Sequence, residues 1–197
     1  MRLGLCSRSK DVIEPILKPQ WWVNCKEMAA EGCRAVREGG LEIIPQDFEA
    51  TWFRWLENIR DWCISRQRSW GLPIPAFYDA QGEPILDARI VRNTADLVQE
   101  HGSNVWFERE LADLWAAVKP DDWDGAEAIG KSTDTLDVWI DSGSSSRAVL
   151  MQRRELGRSD AEAGTHDAWQ ADYYLEGSDQ HRGWFQSSLL LSLAGNG

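Results

Sequence analysis

Twice in this chain a short β-prone run gives way to a turn crowded with polar residues, and an apolar segment then resumes. Residues 135–140 (TLDVWI) run into DSG, and residues 173–175 (YYL) stop at Glu176 and Gly177 before Ser178, Asp179, Gln180 and His181. A fold does not need so many hydrogen-bonding side chains in one strand-to-helix turn. Helical patterns lie between such runs. Residues 24–37 carry Cys25, Met28, Ala29, Cys33 and Val36 at helical spacing and stop at Gly39 and Gly40. Asp47 is placed to cap a second helix whose Phe48, Trp52, Trp55, Leu56 and Ile59 form one stripe. Two more helices are expected near residues 94–101 and 107–118. Strands are expected at residues 41–44 (LEII), within 62–78, at 135–140 and at 173–175, and a turn at 79–84 (DAQGEP). Residues 157–168 read as polar and irregular. Strands alternating with helices predict an α/β fold with a mainly parallel sheet, and in such sheets ligands bind beyond the carboxyl ends of strands.

Composition narrows the class. The net charge of -11 argues against broad, non-specific binding to nucleic acid, which depends on Lys and Arg neutralising phosphates. Cys6, Cys25, Cys33 and Cys63 show no C-x-x-C spacing and have no His pair nearby, so reduced thiols of a cytosolic type are expected and no zinc site. No apolar run approaches the roughly 18 residues of a membrane span, and the first residues do not form a signal peptide. Twelve tryptophans imply thick packing or pockets with flat apolar walls.

Several motifs invite chemistry. Residues 125–132 (GAEAIGKS) match the phosphate-loop pattern letter for letter, but neither a strand before nor a helix after is expected, and Glu127 would face the anion. Asp134, Asp137 and Asp141 read as capping and loop-solvating carboxylates in preference to a metal cluster. The serines around Gly143 lack the G-x-S-x-G elbow of a serine hydrolase. His181 reads as a hydrogen-bonding residue and not as a general base. Trp139 and Trp184 stand out because each lies beside a polar turn, the setting of a small-molecule site. Arg60, Arg66 and Arg68 interleaved with Trp62 and Trp70 fit equally an ordinary surface and a patch for a nucleic-acid backbone.

Three blocks, ENIRDWCISRQRSWGLPIP, TLDVWIDSG and YLEGSDQHRGWFQSSLL, resemble the catalytic domain of class I aminoacyl-tRNA synthetases of the isoleucyl/valyl branch, and the likeness covers nearly the whole chain. Residues 2–62 are similar to valyl-tRNA synthetases of eukaryotic type, and residues 68–197 to isoleucyl-tRNA synthetases. The resemblance implies a Rossmann-like nucleotide-binding domain with helical connective insertions. Residues 1–23 would be a connector from an editing domain, and residues 24–197 the C-terminal part of the catalytic domain. It implies ATP with Mg2+ as substrate complex, isoleucine or valine as the amino acid, cognate tRNA as partner, and a cytoplasmic or organellar setting. Glu176, Gly177, Asp179 and Gln180 would line the adenylate, and Trp139 and Trp184 would wall the side-chain pocket. The HIGH and KMSKS signatures are absent from these 197 residues, so the chain alone is expected not to form the adenylate. Ile140 stands where the family usually has Phe. A P-loop nucleotide hydrolase and a non-catalytic interaction module are the readings from other classes.

Overall fold

The computed structural model describes residues 3–151, 171 and 173–196. Strand β1 (Trp22–Val23) leads into helix α1 (Lys26–Arg37), whose Cys25, Ala29, Cys33 and Val36 recur at helical spacing and are buried. The helix ends where the Glu38 N–H donates to the Arg34 carbonyl and Gly39 adopts a φ of 77°, a left-handed position that glycine occupies at little cost. A 3-10 turn (Gln46–Phe48) opens helix α2 (Glu49–Glu57). Strands β2 (Trp62–Cys63) and β3 (Ser65–Arg66) follow, then the hairpin of β4 (Phe77–Tyr78) and β5 (Pro84–Ile85). The Asp79 carboxylate accepts from the Gln81 and Glu83 amides in that hairpin turn, and Gly82 has φ 80°.

Helix α3 (Ala88–His101) starts at Asp87, whose carboxylate accepts from the Arg89 N–H, and is followed by α4 (Val105–Glu108) and α5 (Leu111–Val118). Strand β6 (Gly130–Lys131) pairs with β4, and β7 (Thr135–Leu136) with β3. Helix α6 (Val138–Gly143), a π-helical turn (Ser146–Met151), a 3-10 turn (Ser178–Arg182) and helix α7 (Trp184–Asn196) complete the described elements.

Two apolar clusters hold these pieces. Cys25, Ala29, Cys33, Val36, Trp52, Leu56 and Leu190 join α1, α2 and α7. A Cβ on Gly32 would stand 2.5 Å from Leu189 Cδ2, so α1 and α7 pack at a separation that leaves little room for a side chain there. Phe77, Ile90, Val105, Trp106, Leu114, Trp115 and Val118 join the β4–β5 hairpin to α3, α4 and α5. Each fully buried side chain of this size stabilises by roughly 1.5–3 kcal/mol.

Several expectations need correction. Every strand pair among the described residues is antiparallel, so the mainly parallel sheet is not among them. Alternating strands and helices suggested crossovers, but α3 to α5 pack onto the face of a local hairpin. Residues 41–44 form no strand; the Leu41 amide donates to Ala35, and Leu41 and Ile43 lean on the first cluster. Neither the 3-10 turn nor α2 has a side-chain cap, so Asp47 caps nothing. Residues 135–140 are a strand only as far as Leu136, because Asp137 caps a helix that absorbs Trp139 and Ile140. Residues 173–175 belong to no described strand, and residues 157–168 lie outside the described residues. All four cysteines are free thiols, and burial pushes the pKa of Cys25 and Cys33 up. Among the described residues no helix is long and apolar enough to cross a membrane.

Candidate functional site

The polar turn is built around one amide. After Gly177 the chain winds into Ser178–Arg182, with the Gln180 N–H donating to the Gly177 carbonyl and the Gly183 N–H to the Gln180 carbonyl, each at 3.0 Å. The Gln180 Oε1 accepts from the Trp184 N–H at 2.9 Å, which caps α7, while its Nε2 donates to Asp179 Oδ2 at 3.1 Å. Glycine is needed at 183 for space: a Cβ would lie 2.4 Å from Gln180 Oε1 and 3.0 Å from the Trp139 ring. A Cβ at Gly177 would stand 2.7 Å from Asp179 Oδ1. Glu176, Gly177 and Asp179 are exposed, and Gln180 is half-buried.

Asp137 organises the facing element. Only 5 % exposed, it accepts from the Trp139 N–H at 3.2 Å and from Trp62 Nε1 at 3.0 Å, and it pairs with the Arg66 guanidinium. Arg66 also donates to the carbonyls of Cys63 and Ser65, both at 2.8 Å. Three polar partners thus balance one buried carboxylate and fix the first turn of α6. Burial first, and the Asp137 charge second, push the Asp141 pKa up. Helix α6 is docked on α7 at Gly143, where a Cβ would come 2.8 Å from the Ser187 carbonyl oxygen. Trp184 closes the same joint: its Nε1 donates to the Ser142 carbonyl at 2.9 Å, and its ring stacks on Tyr174 with centroids 4.5 Å apart. Burial raises the Tyr174 pKa.

Between α2, the β1–β2 ladder and α6 lies an open cleft of about 600 Å³. It gathers Arg60, Trp62 and Arg66 beside Trp139 and Gly183, so residues from two separate motifs share one surface. Arg68 and Trp70 are exposed outside it, Trp70 at 93 %. Glu176, Asp179, Gln180 and Trp184 do not line it; Gln180 reaches its edge through Gly183. Sequence reasoning missed Trp55 and Arg182, whose guanidinium sits 5.6 Å over the Trp55 ring. Trp55 falls on the apolar stripe of the second helix, and only its position at the edge of that stripe separates it.

Residues 125–132 are no phosphate cradle. Lys131 lies on a strand and donates to the carbonyls of Trp106 and Arg109 at 2.7 and 2.6 Å. Glu127 bonds Lys119 and Trp115, and the Lys119 ammonium lowers its pKa. Asp134 pairs with Lys18 at 3.1 Å, and Asp137 caps α6. His181 departs from expectation: it is 4 % exposed, and its Nδ1 is buried with no hydrogen-bond partner among the described residues. Among the described residues no group of three or more His, Cys, Asp or Glu gathers to hold a metal ion.

The profile of the tRNA synthetases class I (I, L, M and V) matches residues 4–197, and the chain belongs to that family. The catalytic domain of this class is Rossmann-like, and no described element conflicts with it.

Among individual relatives, the chain is 44 % identical over 195 residues to the isoleucine–tRNA ligase of Methylacidiphilum infernorum (isolate V4), covering 98 % of this chain and 19 % of that protein. It is 43 % identical over 178 residues to the isoleucine–tRNA ligases of Bacillus mycoides (strain KBAB4) and Bacillus cereus (strain B4264), covering 90 % of this chain and 18 % of each. The chain therefore spans about a fifth of the length of the curated relatives it matches. Because the first alignment takes in 195 of 197 residues, the valyl-like N-terminal third also aligns with an isoleucine–tRNA ligase.

Proposed function

We propose that this chain is the part of an isoleucine–tRNA ligase that holds the aminoacyl-adenylate. The observation that carries the reading is the meeting of Gln180 and Trp139 at Gly183. An amide oxygen suited to a substrate ammonium stands there beside a flat apolar wall suited to an aliphatic side chain. The Gln180 oxygen already accepts from Trp184 N–H, which fixes its direction, and its second lone pair serves the ligand. The exposed carboxylates of Glu176 and Asp179 suit the hydroxyl donors of a ribose, and Gly177 lets the backbone come close to the nucleotide. Trp139 walls the side-chain pocket, with Trp184 behind it bracing the α6–α7 joint.

In this reading the isoleucine carboxylate attacks the α-phosphate of ATP, which enters as its Mg2+ complex. Pyrophosphate leaves, a terminal hydroxyl at the 3′ end of tRNA then takes the acyl group from the adenylate, and AMP leaves. The chain's own residues align the reactants and do no covalent chemistry. Arg60, Arg68 and Trp70 are the residues offered to tRNA, whereas Arg66 and Trp62 are turned inward to hold Asp137. Residues 1–23 act as a connector from an editing domain and residues 24–197 as the C-terminal part of the catalytic domain. Its parallel sheet is formed with strands of the longer protein. The reaction fits a cytoplasmic or an organellar setting.

The test is isoleucine-dependent exchange of pyrophosphate into ATP by the full-length protein containing this chain. Exchange that falls at least about tenfold with Asp179→Ala or Glu176→Ala supports the reading. Exchange driven by valine in preference to isoleucine, or indifferent to both substitutions, contradicts it.

A further inference from the structure

His181 takes no part in the steps above, yet it is the most enclosed residue of the polar turn, at 4 % exposure. Phe48 stacks on its ring with centroids 6.0 Å apart and planes 19° apart. Trp52 and Phe185 meet it edge-on at 6.0 and 5.6 Å. Phe48 stands at the head of α2, Trp52 within it, and Phe185 on α7, so one ring ties the turn to both helices. Its buried Nδ1 has no hydrogen-bond partner among the described residues. A buried polar atom left unpaired is costly, and a buried charge costs far more.

The charged residues on the surrounding elements are few. Asp47, Glu49, Arg54 and Glu57 lie on the 3-10 turn and α2, Asp179 and Arg182 on the turn itself, and α7 has none. Arg182 is engaged over Trp55, Glu57 pairs with Arg37, and Asp179 bonds Gln180. Among the described residues no carboxylate faces the ring to support an imidazolium. Burial accordingly holds the His181 pKa below its ordinary 6.5.

We propose that His181 is a positioning residue: as an uncharged ring it clamps the Ser178–Arg182 turn onto α2 and α7, so setting Asp179 and Gln180 for the adenylate, and protonation releases the turn. The clamp follows from packing alone; its consequence for the adenylate rests on the proposed function. Above pH 6.5 the ring is neutral whether docked or released, so pH has no effect. Below that value the released ring takes a proton that the docked ring refuses. The balance then moves toward release by up to about tenfold per pH unit, until the docked pKa is reached.

The experiment follows amide hydrogen exchange at Gly183 and Trp184 in the 197-residue chain from pH 7.5 to 5, corrected for intrinsic rates. These amides bond Gln180 O and Oε1 at 3.0 and 2.9 Å. Protection should fall about tenfold or more in the parent and stay level in His181→Phe, which keeps an aromatic ring and cannot be protonated. Protection that is level in the parent, or that falls equally in the variant, overturns the proposal. Affinity for isoleucyl-sulfamoyl-adenosine, whose charges do not change from pH 5 to 7, should follow the same profile. An analogue that binds at no pH refutes the functional reading and leaves the clamp to be judged by exchange. If His181→Phe does not fold, the parent's own His181 ring resonances decide. Ring protonation concurrent with loss of protection supports the clamp, and ring protonation with protection intact overturns it.

Discussion

Replacing Gly183 by alanine tests the joint between amide and indole. The added Cβ would lie 2.4 Å from Gln180 Oε1 and 3.0 Å from the Trp139 ring. Ordinary contacts between such atoms begin about 1 Å beyond the first distance, so something must yield. The glutamine oxygen is the end of a flexible side chain and swings away, giving up its bond from the Trp184 N–H. That bond is worth about 0.5–1.5 kcal/mol, and the small shift of Trp139 adds some tenths. Urea unfolding followed by tryptophan fluorescence should therefore show a loss of about 1–2 kcal/mol with an unchanged m-value. The effect on ligand should be the larger one, because the ammonium acceptor has been turned away: affinity for an isoleucyl-adenylate analogue should drop at least about tenfold, or 1.4 kcal/mol. Gly40→Ala, whose Cβ would meet only the Ala35 carbonyl oxygen at 3.5 Å, is the control and should change neither quantity. A Gly183→Ala chain that binds the analogue with parental affinity would refute the assignment of Gln180 to the amino group.

Three further outcomes follow from named contacts. Asp137→Ala strips a buried carboxylate from half-exposed Arg66, from Trp62 and from the first turn of α6, and should cost about 1–3 kcal/mol by urea unfolding, the scale of hydrogen-bond partners lost by buried polar groups. Lys131→Ala removes two bonds to helix-end carbonyls and should cost about 1–3 kcal/mol while leaving nucleotide binding unchanged; loss of nucleotide binding would revive the phosphate-loop reading. The Cys6 thiol is lowered to about 7, chiefly by its hydrogen bond with Ser9, so its thiolate fraction rises through neutral pH. Alkylation mapped by mass spectrometry should mark Cys6 with a midpoint near pH 7 and spare buried Cys25 and Cys33 in the native chain.

Local rules carried much of this fold into the sequence. The apolar spacing of Cys25, Ala29, Cys33 and Val36 is a helix in the structure, and Asp79 and Gly82 make the hairpin turn that residues 79–84 suggested. Where local rules competed, the sequence alone misled. The β-branched residues of 135–140 favour a strand, but one cap at Asp137, held by Arg66 and Trp62 from over seventy residues away, starts a helix. Strand partners were equally illegible: alternation of strands and helices says nothing of which two-residue edges pair, and all the described pairs are antiparallel. The polar turn was conspicuous because four hydrogen-bonding side chains, Ser178 to His181, follow one another directly. The cleft was not, since Trp55 and Arg182 meet only through tertiary approach of α2 and the turn.

The central claim is that the turn and Trp139 together bind an isoleucyl-adenylate, and calorimetric titration of this chain with the isoleucyl- and valyl-sulfamoyl-adenosine analogues tests it most directly. One methylene in an apolar pocket is worth about 1–3 kcal/mol, a limit for which isoleucyl enzymes are themselves the usual illustration. The account predicts saturable binding of the isoleucyl analogue, tighter than the valyl one by about tenfold or more, and weakened by Asp179→Ala and by Trp139→Ala. Equal affinity for both analogues, or binding that neither substitution changes, would contradict it.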